Sequence, residues 1–167
     1  MLIETVLSAL LRPRVGPWRH ALALFPAAIF PSAALFKVAL TISVATGLPA
    51  QQLMPPDRSP SMGEVLGAVA FAPVAETLLL AAGLRILCLL KQSLLVTAGL
   101  SAVIWGLLHA VQGALWFFGT FWSFFLFSCA FLVWRQRSFA HAFIAASVPH
   151  ALVNGTAMAL LAVRGAA

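Results

Sequence analysis

The chain has 167 residues, of which 62% are hydrophobic and only 8% are charged. A soluble domain carries about 25% charged residues, so this protein cannot cover its exterior with polar side chains, and lipid must surround most of its surface. The formal net charge is +6, but the basic residues lie in short clusters between apolar runs. That pattern is typical of contact with anionic lipid headgroups, and we expect no nucleic-acid partner.

The N-terminal segment is predicted to lie at the membrane surface. Residues 1–11 are apolar apart from Glu4, and they are too short to cross a bilayer, so an interfacial helix is expected. A signal peptide is the alternative interpretation. However, the basic cluster at 12–19 follows the apolar stretch, whereas in a signal peptide it would precede it. Residues 1–20 are therefore interpreted as an interfacial, basic segment.

Five apolar runs follow this segment, each near the length that a transmembrane helix needs. A polar, proline-rich loop at 49–62 separates the first two runs, and short polar turns separate the others. The predicted spans are 21–48, 63–90, 93–110, 114–134 and 138–163. The predicted fold is an all-α membrane protein, a single transmembrane domain over residues 1–167 that forms a bundle of about five helices.

The distribution of lysine and arginine predicts how the bundle is oriented. Two of these residues, Arg58 and Arg164, fall on one side of the membrane. The other side collects Arg12, Arg14, Arg19, Arg85, Lys91, Arg135 and Arg137. Positive residues favour the cytoplasmic side, so the N-terminus is predicted to be cytoplasmic and the C-terminus external. The expected location is the bacterial inner membrane, as a multi-pass protein.

Four hydrophilic residues lie inside or at the ends of the apolar runs: Glu76, His109, His150 and Asn154. A charged side chain at the centre of a membrane helix costs about 2.5–3.5 kcal/mol on insertion scales. These side chains therefore gain most if they meet one another inside the bundle. Their positions along the predicted spans put Glu76 and His150 near the middle of the membrane and allow all four side chains to share its external half, within a few helical turns of depth.

A carboxylate, two imidazoles and a carboxamide are suited to hydrolysis. Glu76 with one histidine can take a proton from water and later give it to a leaving amine. The other histidine with Asn154 can stabilise the oxyanion that forms when water adds to a carbonyl. Structural interpretations remain open: an ion pair of Glu76 with Arg85 or Lys37, or interhelical hydrogen bonds made by the polar residues.

Three short motifs that contain these residues resemble the CPBP family of intramembrane proteases, which includes CAAX-processing and bacteriocin-related members. The first motif reads Ala-Pro-Val-Ala-Glu-Thr-Leu-Leu-Leu-Ala and contains Glu76. The second reads Trp-Gly-Leu-Leu-His, from Trp105 to His109. The third reads His-Ala-Leu-Val-Asn, from His150 to Asn154. The resemblance covers 63–163, the expected catalytic core.

The resemblance implies a division of roles among the polar residues. Glu76 and His109 would activate water, His150 and Asn154 would hold the oxyanion, and Trp105 would support the site. Thr77 and Ala81 stand where the family has a second glutamate and an arginine, and this difference bears on how active the protein is. Such first motifs also resemble the myxosortase-like proteases that process C-terminal sorting signals near the external face of the membrane.

The expected partners are the lipid bilayer and a membrane-anchored protein or peptide substrate. No cofactor is expected, because Asn154 is more useful as an oxyanion donor than beside a metal. The alternative is a zinc ion held by Glu76, His109 and His150, with an open position for water. Two non-protease functions are alternatives: a non-catalytic membrane scaffold or immunity-like protein with a decayed protease motif, and a small transporter with Glu76 as its proton carrier.

Overall fold

The computed structural model describes residues 15–48 and 60–165, with side chains to residue 163. Within these ranges the chain is all-helical, and the predicted bundle of five helices is confirmed. The helices are α1 (Pro17–Ala45), α2 (Met62–Leu90), α3 (Leu94–Ala110), α4 (Trp116–Arg135) and α5 (Phe139–Gly165). The predicted interfacial helix at 1–11 lies outside the described residues.

Four of these helices, α1, α2, α4 and α5, are long and apolar enough to cross a membrane. Helix α3 is apolar but has only 17 residues, which corresponds to about 25 Å of helix. It is therefore shorter than the hydrocarbon core of about 30 Å. The protein is accordingly an integral membrane protein by the length and composition of four of its helices, and α3 is an apolar helix shorter than these four.

Local sequence signals fix where the helices begin and end. Pro17 occupies the first turn of α1, and Gly47, with a φ of 71°, lies just beyond its end. Helix α2 begins with a capping box, because Ser61 Oγ accepts a hydrogen bond from the Glu64 backbone N–H and Glu64 Oε2 accepts one from the Ser61 N–H. Lys91, with a φ of 54°, ends α2 in the left-handed conformation.

Helix α4 lies at the centre of the bundle and packs along α1, α3 and α5, whereas α2 packs mainly on α5. Small side chains at the contacts, such as Ala98, Ala130 and Ala145, are fully buried and let the helices approach closely. Polar bonds also cross between helices, since Ser123 of α4 bonds to Ser32 of α1. The centre of the bundle thus combines close packing with hydrogen bonds that have no competition from water.

The described cations that were predicted to share one side of the membrane also share one end of the bundle. Trp134, near the end of α4, contacts His20 at the start of α1 and His141 near the start of α5. Short turns join α2 to α3 and α3 to α4, so these helices run antiparallel and α2 ends at the same level. The cations at this end are Arg19, Arg85, Lys91, Arg135 and Arg137.

Trp134 and His20 form a buried pair that should matter for stability. Trp134 Nε1 donates to His20 Nδ1 at 2.7 Å, and within the described residues His20 Nε2 has no hydrogen-bond partner. We expect Trp134→Phe to lower the free energy of unfolding by about 1–3 kcal/mol, because it leaves a second buried ring nitrogen unpaired. Thermal unfolding in detergent micelles measures the change. Trp18→Phe is the control, since Trp18 is exposed, and an equal loss in both variants would contradict the prediction.

Candidate active site

The structure brings the four predicted polar side chains together between α2, α3 and α5. Glu76 Oε2 lies 3.9 Å from His109 Nε2 and 3.8 Å from His150 Nε2. Asn154 Nδ2 lies 3.3 Å from His150 Nε2. Arg85 and Lys37, the other expected partners of Glu76, are exposed. Among the described residues, Glu76 therefore lies near the two histidines and makes no ion pair with Arg85 or Lys37.

His109 is held in one tautomer by its own helix. Its Nδ1 lies 2.9 Å from the backbone oxygen of Trp105, one turn earlier in α3. A carbonyl oxygen only accepts, so Nδ1 must carry the hydrogen, and in the neutral ring Nε2 keeps its lone pair. Since Nε2 is the atom that faces Glu76, the motif spacing of four residues presents a basic nitrogen to the carboxyl group.

The amide of Asn154 is oriented by the backbone of α2. Its Nδ2 donates to the carbonyl oxygen of Ala68 at 2.9 Å. The opposite amide orientation would place two acceptor oxygens against each other, so this bond assigns the nitrogen. The same nitrogen faces His150 Nε2 at 3.3 Å, which makes that ring nitrogen the acceptor. Asn154 therefore joins the start of α2 to the histidine beside Glu76.

An aromatic frame from α4 packs behind these polar groups. Phe124 stacks on Trp105, with ring centroids 4.6 Å apart, and contacts the rings of His109 and His150 at 5.2 and 5.3 Å. Phe127 stacks on His150 at 5.1 Å. The sequence motifs did not single out these phenylalanines. Their spacing of three residues, which puts them on one face of α4, was the only available signal, and it is common in core helices.

The site is shielded but not closed. The His150 side chain is 4% exposed and that of His109 is 15% exposed, whereas that of Glu76 is 24% exposed. Within the described residues Glu76 Oε2 is buried without a hydrogen-bond partner. An oxygen atom about 2.8 Å from both Glu76 Oε2 and a histidine Nε2 fits their separation. Because water carries two O–H groups, one molecule can donate to both acceptors.

Glu76, His109 and His150 are the residues of the zinc alternative, and Glu76 lies slightly farther from the two histidine nitrogens than the ligand atoms of a zinc ion lie from one another. With metal–ligand bonds of about 2.0–2.1 Å, ligand atoms around tetrahedral zinc lie about 3.3 Å apart. The carboxyl oxygen of Glu76 is 3.8–3.9 Å from both imidazole nitrogens. In the described ranges, no group of three or more His, Cys, Asp or Glu side chains is arranged to hold a metal ion.

Comparisons of this chain with protein-family models, with curated proteins and with solved structures each give no match. The function of this chain is therefore inferred from the site itself and from the three motifs. Of the motif residues, the structure places Trp105 in contact with both His109 and Phe124. Thr77, at the position of the family's second glutamate, is buried, and Ala81 is partly buried against the core.

Proposed function

We propose that this protein is an intramembrane endopeptidase that hydrolyses a peptide bond of a membrane-anchored protein. The observation that carries the proposal is the meeting of Glu76 with His109 and His150 at 3.8–3.9 Å inside an apolar helix bundle. Unpaired polar groups are costly there, and a purely structural pair would be expected to close to hydrogen-bond distance. The resemblance of the three motifs to the CPBP proteases supports the same function.

In the proposed reaction, Glu76 and His109 act together on a water molecule. The Nε2 lone pair of His109 and a Glu76 carboxylate accept hydrogen bonds from the water, and one of them takes its proton as the oxygen attacks the peptide carbonyl carbon. A C–O bond forms and the carbonyl becomes an oxyanion. When the C–N bond breaks, the stored proton passes to the leaving amine, which leaves a new amine and a new carboxylic acid that then loses its proton to solvent.

Asn154 is proposed to donate to the oxyanion, while His150, whose Nε2 is an acceptor here, holds the second N–H of the amide until the oxyanion forms. One N–H of the Asn154 amide is engaged by Ala68 at 2.9 Å, while the second faces His150 at the longer distance of 3.3 Å. The longer bond is the weaker one, so an oxyanion can replace His150 as the acceptor without releasing the amide from α2. A fixed donor in a low-dielectric site gives strong transition-state stabilisation.

The orientation predicted from the positive residues adds a substrate class. If the cationic end faces the cytoplasm, α2 enters from the external side, Glu76 lies near the middle of the membrane, and His109 lies near the external end of α3. We propose a protein with a C-terminal apolar anchor and a basic tail as substrate, cut near the external face, as in sorting-signal processing. A prenylated CAAX protein would present its bond at the cytoplasmic face and fits this depth less well.

The proposal can be tested by co-expression in a bacterial host with a library of reporters, each a soluble domain that precedes an apolar anchor and a basic tail. We expect the wild type to release a reporter on the external side, with a new C-terminus in or next to the anchor that mass spectrometry identifies. The Glu76→Gln variant is the comparator. Identical fragments with that variant would contradict the enzymatic function, and release on the cytoplasmic side would contradict the orientation.

A further inference from the structure

The start of α2 contains a turn of π-helix, Gly67–Phe71, just before the segment that carries Glu76. In this turn the N–H of Ala72 bonds five residues back, to the first residue of the turn, where an α-helix would bond four back to Ala68. The π register would next pair the N–H of residue 73 with Ala68. Residue 73 is proline and has no N–H, so α2 itself leaves the Ala68 carbonyl without these donors.

The acceptor that α2 leaves free is the one that Asn154 uses. Asn154 Nδ2 donates to the Ala68 oxygen across the interface between α5 and α2. We infer that Pro73 is a positioning residue for the proposed oxyanion site, because it frees the Ala68 carbonyl that fixes the Asn154 amide. This inference rests on the proposed function for its catalytic consequence, but the hydrogen bond itself can be tested without it.

A second proline in the bundle has the same effect away from the site. In α1, the N–H that would bond to the Ala27 carbonyl belongs to residue 31, which is also proline. The Ala27 oxygen instead accepts a hydrogen bond from Trp122 Nε1 of α4, at 2.8 Å. Each proline thus leaves the carbonyl four or five residues before it without a backbone donor, and a side chain from another helix donates a hydrogen bond to that carbonyl. In hydrocarbon such carbonyls need a partner, which makes both contacts durable.

The bond to Ala68 has a specific effect on the amide. An asparagine side chain that is free to rotate loses conformational entropy when it binds a ligand. Here one N–H is held by α2 and the other points toward His150. The donor is therefore oriented before any substrate arrives, and an arrangement of this kind contributes to transition-state stabilisation and little to substrate affinity.

The direct test uses the fact that Asn154 is the sole asparagine in the sequence. Selective ¹⁵N-asparagine labelling therefore gives the paired N–H signals of a single side-chain amide by NMR in detergent micelles. We expect the wild-type amide to exchange with D₂O at least tenfold more slowly than free asparagine, and Pro73→Ala to abolish that protection. The matched control is Pro31→Ala, which restores an N–H in α1 and should leave the signals unchanged.

The catalytic test measures the cleavage of a reporter identified with the wild type. We expect Pro73→Ala to lower kcat about 10–100-fold with little change in KM, and Pro31→Ala to lower neither. In the Asn154→Ala background, Pro73→Ala should have no further effect, because its consequence passes through that amide. If Pro73 had a structural role alone, Pro73→Ala would lower both the activity and the melting temperature, and it would lower the activity in both backgrounds. A positioning role does not require the melting temperature to fall.

The outcomes separate this inference from the proposed function. A wild-type amide that exchanges as fast as free asparagine, or an amide that Pro73→Ala leaves protected, would overturn the inference. The first result needs no variant, so it stands even if Pro73→Ala fails to fold. A protected amide that Pro73→Ala releases, in a protein that cleaves no reporter, would support the positioning by Pro73 and count against the peptidase.

Discussion

Glu76→Gln is expected to slow reporter cleavage by about 10²–10⁴-fold, the range that general acid–base groups contribute. Glutamine keeps the size and polarity of the side chain but cannot take a proton from water. The fold should survive, because Glu76 Oε2 makes no hydrogen bond in the described residues that the amide would lose. The measurement is the single-turnover rate in proteoliposomes, with the melting temperature of each variant recorded alongside.

Glu64→Gln is the matched control for this substitution. Glu64 is the other acid of α2, is exposed, and caps the helix start with Ser61, a role that glutamine also fills. It should leave the rate unchanged. A second arm combines Glu76→Gln with His109→Ala. If both residues act on the same water, the double variant should be about as slow as the slower single variant.

Two results would count against the enzyme. The first is reporter cleavage at the wild-type rate by both Glu76→Gln and Glu76→Asp, since neither the chemistry nor the reach of the carboxyl group would then matter. The second is pH-driven solute uptake into vesicles that Glu76→Gln abolishes, which would favour a proton-coupled transporter. A scaffold or immunity-like protein would give neither cleavage nor uptake in any variant.

Asn154→Ala should lower kcat by about 10²–10³-fold, the effect of removing one oxyanion donor in other hydrolases. KM should change little, because the donor is needed most when the charge develops in the transition state. Thr156→Ala is the control on the same helix, since the Thr156 hydroxyl donates to Leu152 within α5. A rise in KM at constant kcat would assign Asn154 to substrate binding and refute its role as an oxyanion donor.

The sequence predicted the architecture and the candidate polar groups closely. The predicted second span, 63–90, corresponds to Met62–Leu90, and the predicted fifth, 138–163, to Phe139–Gly165. These are local properties, because the length of an apolar run and the caps at its ends decide where a membrane helix begins and ends. The expectation that the buried polar groups meet follows from their cost in lipid. Their positions along the predicted spans were enough to show that their depths in the membrane allow it.

The tertiary structure decided how those groups are held. No sequence pattern indicated that Phe124 would contact both histidines, or that the Ala68 carbonyl would fix Asn154. Both depend on how α2, α4 and α5 pack against one another. Pro73, which frees the Ala68 carbonyl, is visible in the sequence. The side chain that binds this carbonyl, Asn154, lies on another helix more than 80 residues away. The hydrophobicity of a run determines its own membrane helix without reference to the rest of the chain. An interhelical hydrogen bond depends on how two helices are placed against each other, which only the tertiary structure determines.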